Sequence, residues 1–286
     1  MIAALYDDRP CALGEGPLWH PERQQLFWFD ITGQRMLSRD ADGPLEWAFD
    51  EMVSAAGWVD RNTLLIASET ALATFDLIEG ESQFLAPLEA DSPATRSNDG
   101  RADPWGGFWI GTMGKAAEPG AGAIYRFHDG ALRRVEPGIT ISNAICFDRD
   151  RACAYYTDTP TRQVMRLPVD AEGWPDGPAE VAVDLRAEGL NPDGAVTDKE
   201  GNLWIAQWGA SRVACYSPEG ALLRAVDCAG QHASCPAFGG AGLDQLFVTT
   251  AREGLRAEEI AEAPENGCVF TAHGVAQGHP EPRVIL

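Results

Sequence analysis

Short apolar runs alternate with polar turns along the chain, and residues 191–206 show the repeating unit most clearly. Asp193-Gly194 leads into two apolar residues, Asp198 follows, and a Lys-Glu-Gly-Asn turn precedes the apolar run 203–206. Apolar segments on both sides of a glycine-containing turn are typical of two antiparallel strands joined by a hairpin. The unit therefore predicts a strand, a tight turn and a returning strand.

The unit occurs six times in all, with its first position five places before the residue that opens the hairpin turn. The six equivalent first positions are Glu15, Ala55, Asn98, Asn143, Asp193 and Cys235, spaced 40 to 50 residues apart. Later apolar segments predict third strands at 123–127, 163–167 and 212–216, and outer strands at 132–135, 180–184 and 222–226. Several short strands per unit at this period are the pattern of a β-propeller.

We therefore predict an all-β fold, a six-bladed β-propeller with four-stranded antiparallel blades around a central channel. The repeat runs through the whole chain, so residues 1–286 are predicted to form a single domain. The last blade needs a closing strand, and residues 2–6 are well placed to supply it as a supplementary strand.

Equal register would place the six first positions at the same height, so we expect their side chains to converge at one mouth of the channel. Glu15, Asn143 and Asp193 would supply two carboxylates and an amide oxygen, a set that suits a hard divalent cation. Taken alone, each residue is more simply explained as an ordinary turn or strand-end residue. The register itself does not require polar residues, because Ala55 and Cys235 occupy it in other blades. This favours a metal site.

Other polar and aromatic residues lie near the predicted mouth. Arg96 and Asn98, in Thr-Arg-Ser-Asn-Asp-Gly, could hydrogen-bond substrate hydroxyls or a carbonyl, although Arg96 could instead form an ion pair between blades. Trp208, just past a strand end, could wall the mouth or pack between blades. His20 and His128 fall at predicted turns, where we expect them to be exposed.

Composition narrows the possible partners and location. The 286 residues are 45% apolar and carry a net charge of −21, which argues against nucleic-acid and anionic-membrane partners because both need a basic surface. No apolar run reaches the roughly 18 residues that span a bilayer, and Asp7 and Asp8 come too early for a secretory signal. We expect a cytoplasmic protein that is a monomer or a weak homo-oligomer.

Several common catalytic and metal motifs are missing. The seven cysteines are scattered without a Cys-x-x-Cys pair, which indicates neither a disulfide framework nor a zinc knuckle. A Gly-x-Ser-x-Gly elbow, a Walker loop, a complete Gly-x-Gly-x-x-Gly and a His-x-His cluster are all absent. Serine hydrolase, dinucleotide enzyme and His-rich zinc hydrolase interpretations therefore have little support.

The chain resembles the regucalcin/gluconolactonase family, also known as the SMP-30-like sugar lactonases. The motifs that carry the resemblance are Leu13-Gly14-Glu15-Gly16-Pro17-Leu18-Trp19, Arg96-Ser97-Asn98-Asp99-Gly100, Gly111-Thr112-Met113, Ile141-Ser142-Asn143, Pro192-Asp193-Gly194, Phe238-Gly239-Gly240 and Thr249-Thr250-Ala251-Arg252. They occur in order over nearly the whole chain. The resemblance implies a six-bladed propeller that binds one divalent cation and hydrolyses sugar aldonolactones.

Individual roles follow from the same resemblance. It implies that Glu15, Asn143 and Asp193 are metal ligands, that Asp193 is also the catalytic base, and that Arg96 and Asn98 contact substrate. Ca²⁺ is the first expectation for the cation, with Mg²⁺, Mn²⁺, Zn²⁺ and Fe²⁺ as alternatives. Some relatives carry an acidic residue where this chain has Ala116, which leaves the sugar open.

The predicted mechanism has the metal polarise the lactone carbonyl while Asp193 takes a proton from the attacking water and returns it to the ring oxygen. Two alternatives remain from other classes of function. One is a non-catalytic propeller that binds calcium or a small ligand, since fold alone does not establish catalysis. The other is a phosphotriesterase-like propeller hydrolase, which would also place oxygen ligands around a cation.

Overall fold

The computed structural model describes residues 1–286 and is built almost entirely of strands. Twenty-four strands form six sheets of four antiparallel strands each. Blade 1 contains β2 (Gly14–His20), β3 (Gln25–Asp30), β4 (Arg35–Asp40) and β5 (Gly43–Ala48). Blade 2 contains β6 (Val53–Trp58), β7 (Thr63–Ser68), β8 (Ala71–Asp76) and β9 (Ser82–Pro87). Blade 3 contains β10 (Thr95–Ala102), β11 (Phe108–Gly114), β12 (Gly122–His128) and β13 (Ala131–Ile139).

The second half of the ring repeats this order. Blade 4 contains β14 (Ser142–Asp148), β15 (Cys153–Asp158), β16 (Gln163–Pro168) and β17 (Glu180–Asp184). Blade 5 contains β18 (Asn191–Thr197), β19 (Leu203–Trp208), β20 (Arg212–Tyr216) and β21 (Leu222–Asp227). Blade 6 contains β22 (His232–Gly239), β23 (Gln245–Ala251), β24 (Val269–His273) and β1 (Ala4–Asp7). A 3₁₀ turn covers Thr159–Thr161 and the one α-helix, α1, covers Ala257–Glu262.

The blades close into a ring. Each inner strand packs against the inner strand of the next blade, and β22 of blade 6 contacts β2 of blade 1. The predicted six-bladed β-propeller is therefore confirmed. β1 pairs antiparallel with β24, so the predicted N-terminal supplementary strand is confirmed as the outermost strand of blade 6. No helix has the length and apolar character needed to cross a bilayer.

Packing between blades supplies the core. Trp28, Trp109 and Trp204 are fully buried, as expected for inter-blade residues. The indole nitrogen of Trp109 donates to Asp103 at 3.0 Å and that of Trp204 to Asp198 at 2.9 Å, so these two turn acids anchor tryptophans in the core. All seven cysteines are buried and unpaired.

The prediction of one shared register is wrong in detail. Pairing between the inner and second strand shifts once in every blade. Glu15 and Asn143 form the last pair before the shift, whereas Asn98 and Asp193 are unpaired residues within it. The difference arises at the hairpins, because blades 3 and 5 have five-residue turns and blades 1 and 4 have four-residue turns.

The predicted exposure of His20 is also wrong. Its side chain is buried, and Nε2 lies 3.0 Å from the carbonyl oxygen of Asp60 in the next blade. The ring packs against Phe27 and Trp58. His20 thus belongs to the packing between blades 1 and 2.

Candidate active site at the channel mouth

The structure brings the polar first positions of four blades to the same end of the channel. Glu15 belongs to blade 1, Asn98 to blade 3, Asn143 to blade 4 and Asp193 to blade 5. These four side chains and Arg96 belong to residues that are at most 6% exposed. Buried polar groups of this kind need partners, because burying an uncompensated carboxylate is costly.

Backbone irregularities at the inner strands help to place these side chains. The residues that follow Glu15 and Asn143 are Gly16 and Ala144, with φ of 52° and 56°. This left-handed conformation is unusual for Ala144 and marks local strain at the site. A side chain at position 16 would also meet the Ser54 carbonyl oxygen at 2.2 Å, so glycine is required there. Each irregularity therefore lies directly beside a predicted ligand.

A hydrogen-bond network fixes the two asparagines. Asn98 Nδ2 donates to Asn143 Oδ1 at 3.1 Å and to the Ser142 carbonyl oxygen at 2.8 Å. Asn143 Nδ2 donates to Thr159 Oγ1 at 3.0 Å, and that hydroxyl donates to the Pro192 carbonyl oxygen at 2.9 Å. The network links blades 3, 4 and 5 and ends next to Asp193. Asn143 Oδ1 retains a lone pair that could face a cation.

Arg96 belongs to the same network. Its Nη1 donates to Asn98 Oδ1 at 2.8 Å and to the Ser97 carbonyl oxygen at 2.9 Å. Burial lowers the pKa of Arg96, while the carboxylates of Glu253, Glu15 and Asp193 act in the opposite direction. The guanidinium thus lies among the acidic side chains of the mouth, and its Nε and Nη2 donate to no protein atom. These two groups are free to bind a ligand.

The carboxylates of the site destabilise one another in their ionised form. Burial and then the charge of Asp99 raise the pKa of Glu15 to about 8. Burial, followed by the charges of Glu15 and Asp99, raises the pKa of Asp193 well above its usual value. Burial also raises the pKa of Asp99 to about 6. Perturbed acids gathered in one place are a common property of functional sites.

The donor set fits a hard divalent cation. Glu15 and Asp193 offer two carboxylates, and Asn143 offers an amide oxygen already oriented by Asn98. The protein has no group of three or more His, Cys, Asp or Glu side chains placed to hold a metal ion, so the amide oxygen is an essential third member of the candidate set. Oxygen-only ligands match Ca²⁺, Mg²⁺ and Mn²⁺ better than soft metals. A cation here would also offset the buried negative charge.

Sequence reasoning missed several residues of this site. Asp99 is buried and its charge acts on Glu15 and Asp193. Thr159 is partly buried and accepts a hydrogen bond from Asn143. Glu253 lies in the loop after β23, and its charge acts on Arg96. Asp99 could have been suspected from the sequence, because it directly follows Asn98. In the structure it accepts a hydrogen bond from the backbone nitrogen of Ile145 at 2.7 Å. Glu253 lies outside every repeat position, so the repeat gave no signal for it.

Trp208 is half-buried at the same end of the propeller. Its ring stacks on His232 of blade 6, with centroids 4.3 Å apart and planes 6° from parallel. It also packs against an apolar cluster formed by Leu13, Ile31 and Ala251. Trp208 therefore packs between blades 5 and 6, the second of the two roles that the sequence left open.

The opposite end of the channel contains a separate cavity of about 750 Å³. It is lined by the far ends of inner strands, including Ala102 and Thr197, and by the C-terminal residues 279–283 and 285. None of the predicted site residues lines it. The candidate site is therefore assigned to the end with the buried carboxylates rather than to this cavity.

Comparisons with known proteins extend over nearly the whole chain. Residues 13–252 match the family described as the SMP-30/Gluconolactonase/LRE-like region. An L-arabinolactonase from Azospirillum brasilense is 35% identical over 277 residues, covering 94% of this chain and 91% of the relative. A 6-deoxy-6-sulfogluconolactonase from Pseudomonas putida is 33% identical over 277 residues, covering 96% and 95%. The crystal structure of a calcium-binding protein, regucalcin, from Agrobacterium tumefaciens superposes with a TM-score of 0.97 at 36% identity, covering 99% of this chain and 97% of that one.

Proposed function

Because the chain belongs to the SMP-30/gluconolactonase/LRE-like family, as its motifs predicted, we propose that it is a metal-dependent sugar lactonase. It would open the ester ring of an aldonolactone to give the aldonic acid. The observation that carries this proposal is the buried pair of carboxylates, Glu15 and Asp193, beside the hydrogen-bonded Asn98 and Asn143. Relatives named as lactonases for different sugars support the reaction class but not one sugar.

Glu15, Asn143 and Asp193 would hold one divalent cation. When bound, such a cation supplies a positive charge that polarises the lactone carbonyl and stabilises the negative charge that develops on it. Ca²⁺ is the first candidate, because the regucalcin of Agrobacterium tumefaciens is described as a calcium-binding protein. Mg²⁺, Mn²⁺, Zn²⁺ and Fe²⁺ remain candidates.

Asp193 would act as general base. Its carboxylate would accept a proton from the attacking water and then return that proton to the ring oxygen as the ester bond breaks. Asp193 is 4% exposed, and burial together with the charges of Glu15 and Asp99 raises its pKa. A carboxylate with a raised pKa binds a proton more strongly than an ordinary aspartate does, which suits a group that first accepts a proton and then returns it.

Arg96 and Asn98 would orient the lactone. Arg96 is held through Nη1, which leaves Nε and Nη2 to donate to a substrate hydroxyl or carbonyl. Because Asn98 hydrogen-bonds both Arg96 and Asn143, a substrate bound to Arg96 would have a fixed position relative to the candidate metal ligands. Such pre-oriented contacts reduce the entropic cost of reaching the reactive geometry.

The proposed partners are small sugar lactones. Because the net charge is −21, we propose no nucleic-acid or membrane partner. We also propose a cytoplasmic location and a monomer or weak homo-oligomer. A non-catalytic calcium-binding propeller is the second candidate function, because a structural neighbour at 36% identity is described by calcium binding alone.

A substrate panel separates these functions. Gluconolactone, galactonolactone, xylonolactone and arabinonolactone would be assayed by acid release with several divalent cations, and an aryl phosphotriester would be assayed under the same conditions. Turnover of at least one lactone above the rate with the cation alone supports the proposal. Cation binding without turnover of any lactone supports the non-catalytic alternative, and preferential phosphotriester turnover supports the other hydrolase class.

A further inference from the structure

The C-terminal segment, residues 274–286, crosses the far end of the channel. The backbone nitrogen of Lys199 in blade 5 donates to the Gln277 carbonyl oxygen at 2.8 Å, and that of Val284 donates to Trp58 of blade 2 at 2.9 Å. Blades 2 and 5 stand on opposite sides of a six-membered ring, so the segment passes over the axis between them. Val284 is fully buried, which anchors the segment.

Glu281 enters the channel where the segment crosses. Its two carboxylate oxygens lie 3.2 and 3.5 Å from Arg101 Nη1, and its carbonyl oxygen accepts from Trp58 Nε1 at 2.8 Å. The side chains of Arg101 and Glu281 are only 8% and 9% exposed. Arg101 lies on inner strand β10, so the ion pair is formed inside the propeller rather than on its surface. Losing one partner of a buried pair leaves an uncompensated charge.

Arg101 lies next to the acidic cluster of the mouth, which consists of Glu15, Asp99 and Asp193. It is two residues after Asp99 on β10, and its Nη2 donates to the Pro236 carbonyl oxygen at 3.3 Å. The preceding residue, Cys235, packs on the Cα of Gly194, where a Cβ would meet its Sγ at 2.3 Å. Gly194 in turn adjoins Asp193. One layer of residues therefore separates the Arg101 guanidinium from the candidate ligands.

We propose that Glu281 is a positioning residue of the cation site, which acts by neutralising Arg101 from the far end of the channel. With Glu281 in place, the charges of Arg101 and Glu281 cancel, and the acidic cluster keeps its negative charge for a divalent cation. Without it, the buried guanidinium would repel the cation and attract Asp99. Charge interactions over about 10 Å are appreciable in a protein interior, where the effective dielectric constant is well below that of water. The inference rests on the cation site of the proposed function.

The test is a charge cycle on the full-length protein stripped of metal by a chelator, with Ca²⁺ affinity measured by calorimetry. Glu281→Gln should raise the Kd for Ca²⁺ by at least roughly tenfold. Glu281→Leu, a second neutral variant, should have the same effect. The double variant Arg101→Gln/Glu281→Gln removes both charges and should restore the Kd to within about twofold of the wild-type value.

Val284→Ala is the matched control, because it loosens the same segment without changing a charge. It should lower the melting temperature and leave the Kd unchanged. Three results would each overturn the inference while the cation site stands. They are an unchanged Kd for Ca²⁺ in both neutral Glu281 variants, a Kd in the double variant that stays as high as in Glu281→Gln, and an equal rise in the Kd in Val284→Ala. Wild-type protein that binds no Ca²⁺ or Mn²⁺ would instead contradict the cation site itself, and the inference with it.

Discussion

Asn98 on β10 donates a hydrogen bond to Asn143 on β14 at 3.1 Å, across the boundary between blades 3 and 4. One residue is a candidate substrate contact and the other a candidate metal ligand. A single hydrogen bond thus joins the two halves of the site. A substitution of the candidate substrate contact should therefore also change the affinity of the site for the cation.

The first prediction concerns Asn98→Ala. An orienting contact made in both ground and transition states mainly affects binding, so the KM for the lactone should rise several-fold with a smaller change in kcat. Because Asn143 also loses its donor, the Kd for the cation should rise by a few-fold. Steady-state kinetics and calorimetry measure both. Asn62→Ala, in an exposed turn at the far end, is the control and should change neither the KM nor the Kd. An Asn98→Ala enzyme with an unaltered KM would show that Asn98 does not contact the substrate.

The second prediction concerns metal removal. Chelator-treated protein should lose lactonase activity and regain it with an added divalent cation, since carbonyl polarisation depends on the ion. The propeller should stay folded meanwhile, because its blades are held by apolar clusters outside the site. Lactone turnover together with elemental analysis checks the first statement, and circular dichroism checks the second. Full activity in protein shown to contain no metal would exclude a metal-dependent reaction.

The repeat made the architecture predictable, and it pointed to most of the residues of the candidate site. Side-chain period, turn spacing and the polar identity of Glu15, Asn143 and Asp193 are local properties that can be read along the chain. The position of the strand shift was not predictable from the repeat, because it depends on the hairpin length in each blade and, in blade 4, on the left-handed conformation of Ala144, a residue that rarely adopts it. In blade 3 the shift leaves both Asn98 and Asp99 unpaired with β11, and Asp99 is one of the buried acids that act on Asp193.

The contacts made by the C-terminal segment were equally hidden. Glu281 pairs with Arg101, 180 positions away, and no repeat or motif connects the two. Such pairing depends on the closed ring rather than on local sequence. The same holds for Glu253, which reaches Arg96 only because blade 6 closes near the mouth.

The third prediction concerns pH and stability without metal. Burial raises the pKa of Glu15 to about 8 and that of Asp99 to about 6. The folded protein therefore holds more protons than the unfolded chain, so the stabilising contribution of these groups is lost as pH rises from about 5 to about 8. Scanning calorimetry of metal-free protein should show a falling melting temperature across this range, with Ca²⁺ restoring it at the upper end.

Glu15→Gln is the control for this pH effect. The net charge of −21 also lowers stability as pH rises, so only the difference between wild type and variant isolates the cluster. The variant should show a shallower fall. Parallel melting curves for the two proteins would mean that Glu15 titrates at its ordinary pKa.

The fourth prediction separates structural acids from functional ones. Asp198 accepts hydrogen bonds from the backbone nitrogens of Glu200 and Asn202 and from Trp204 Nε1, all between 2.9 and 3.0 Å. Asp198→Ala leaves these donors without their acceptor and should lower the free energy of unfolding by about 2–4 kcal/mol. Urea unfolding measures the loss. The KM and kcat of the folded fraction should not change, because Asp198 lies at the far end of the propeller; a large fall in kcat would give this turn a catalytic role.

The most direct test compares lactone turnover by wild-type and Asp193→Asn protein, both loaded with the same cation. The amide keeps an oxygen near the cation but is essentially non-basic, so the proton acceptor is lost. General-base catalysis typically contributes about 10²–10⁴-fold, and kcat should fall by at least roughly 10²-fold while the circular dichroism spectrum and melting temperature stay near wild type. An Asp193→Asn protein that binds the cation and still opens the lactone at nearly the wild-type rate would contradict the account.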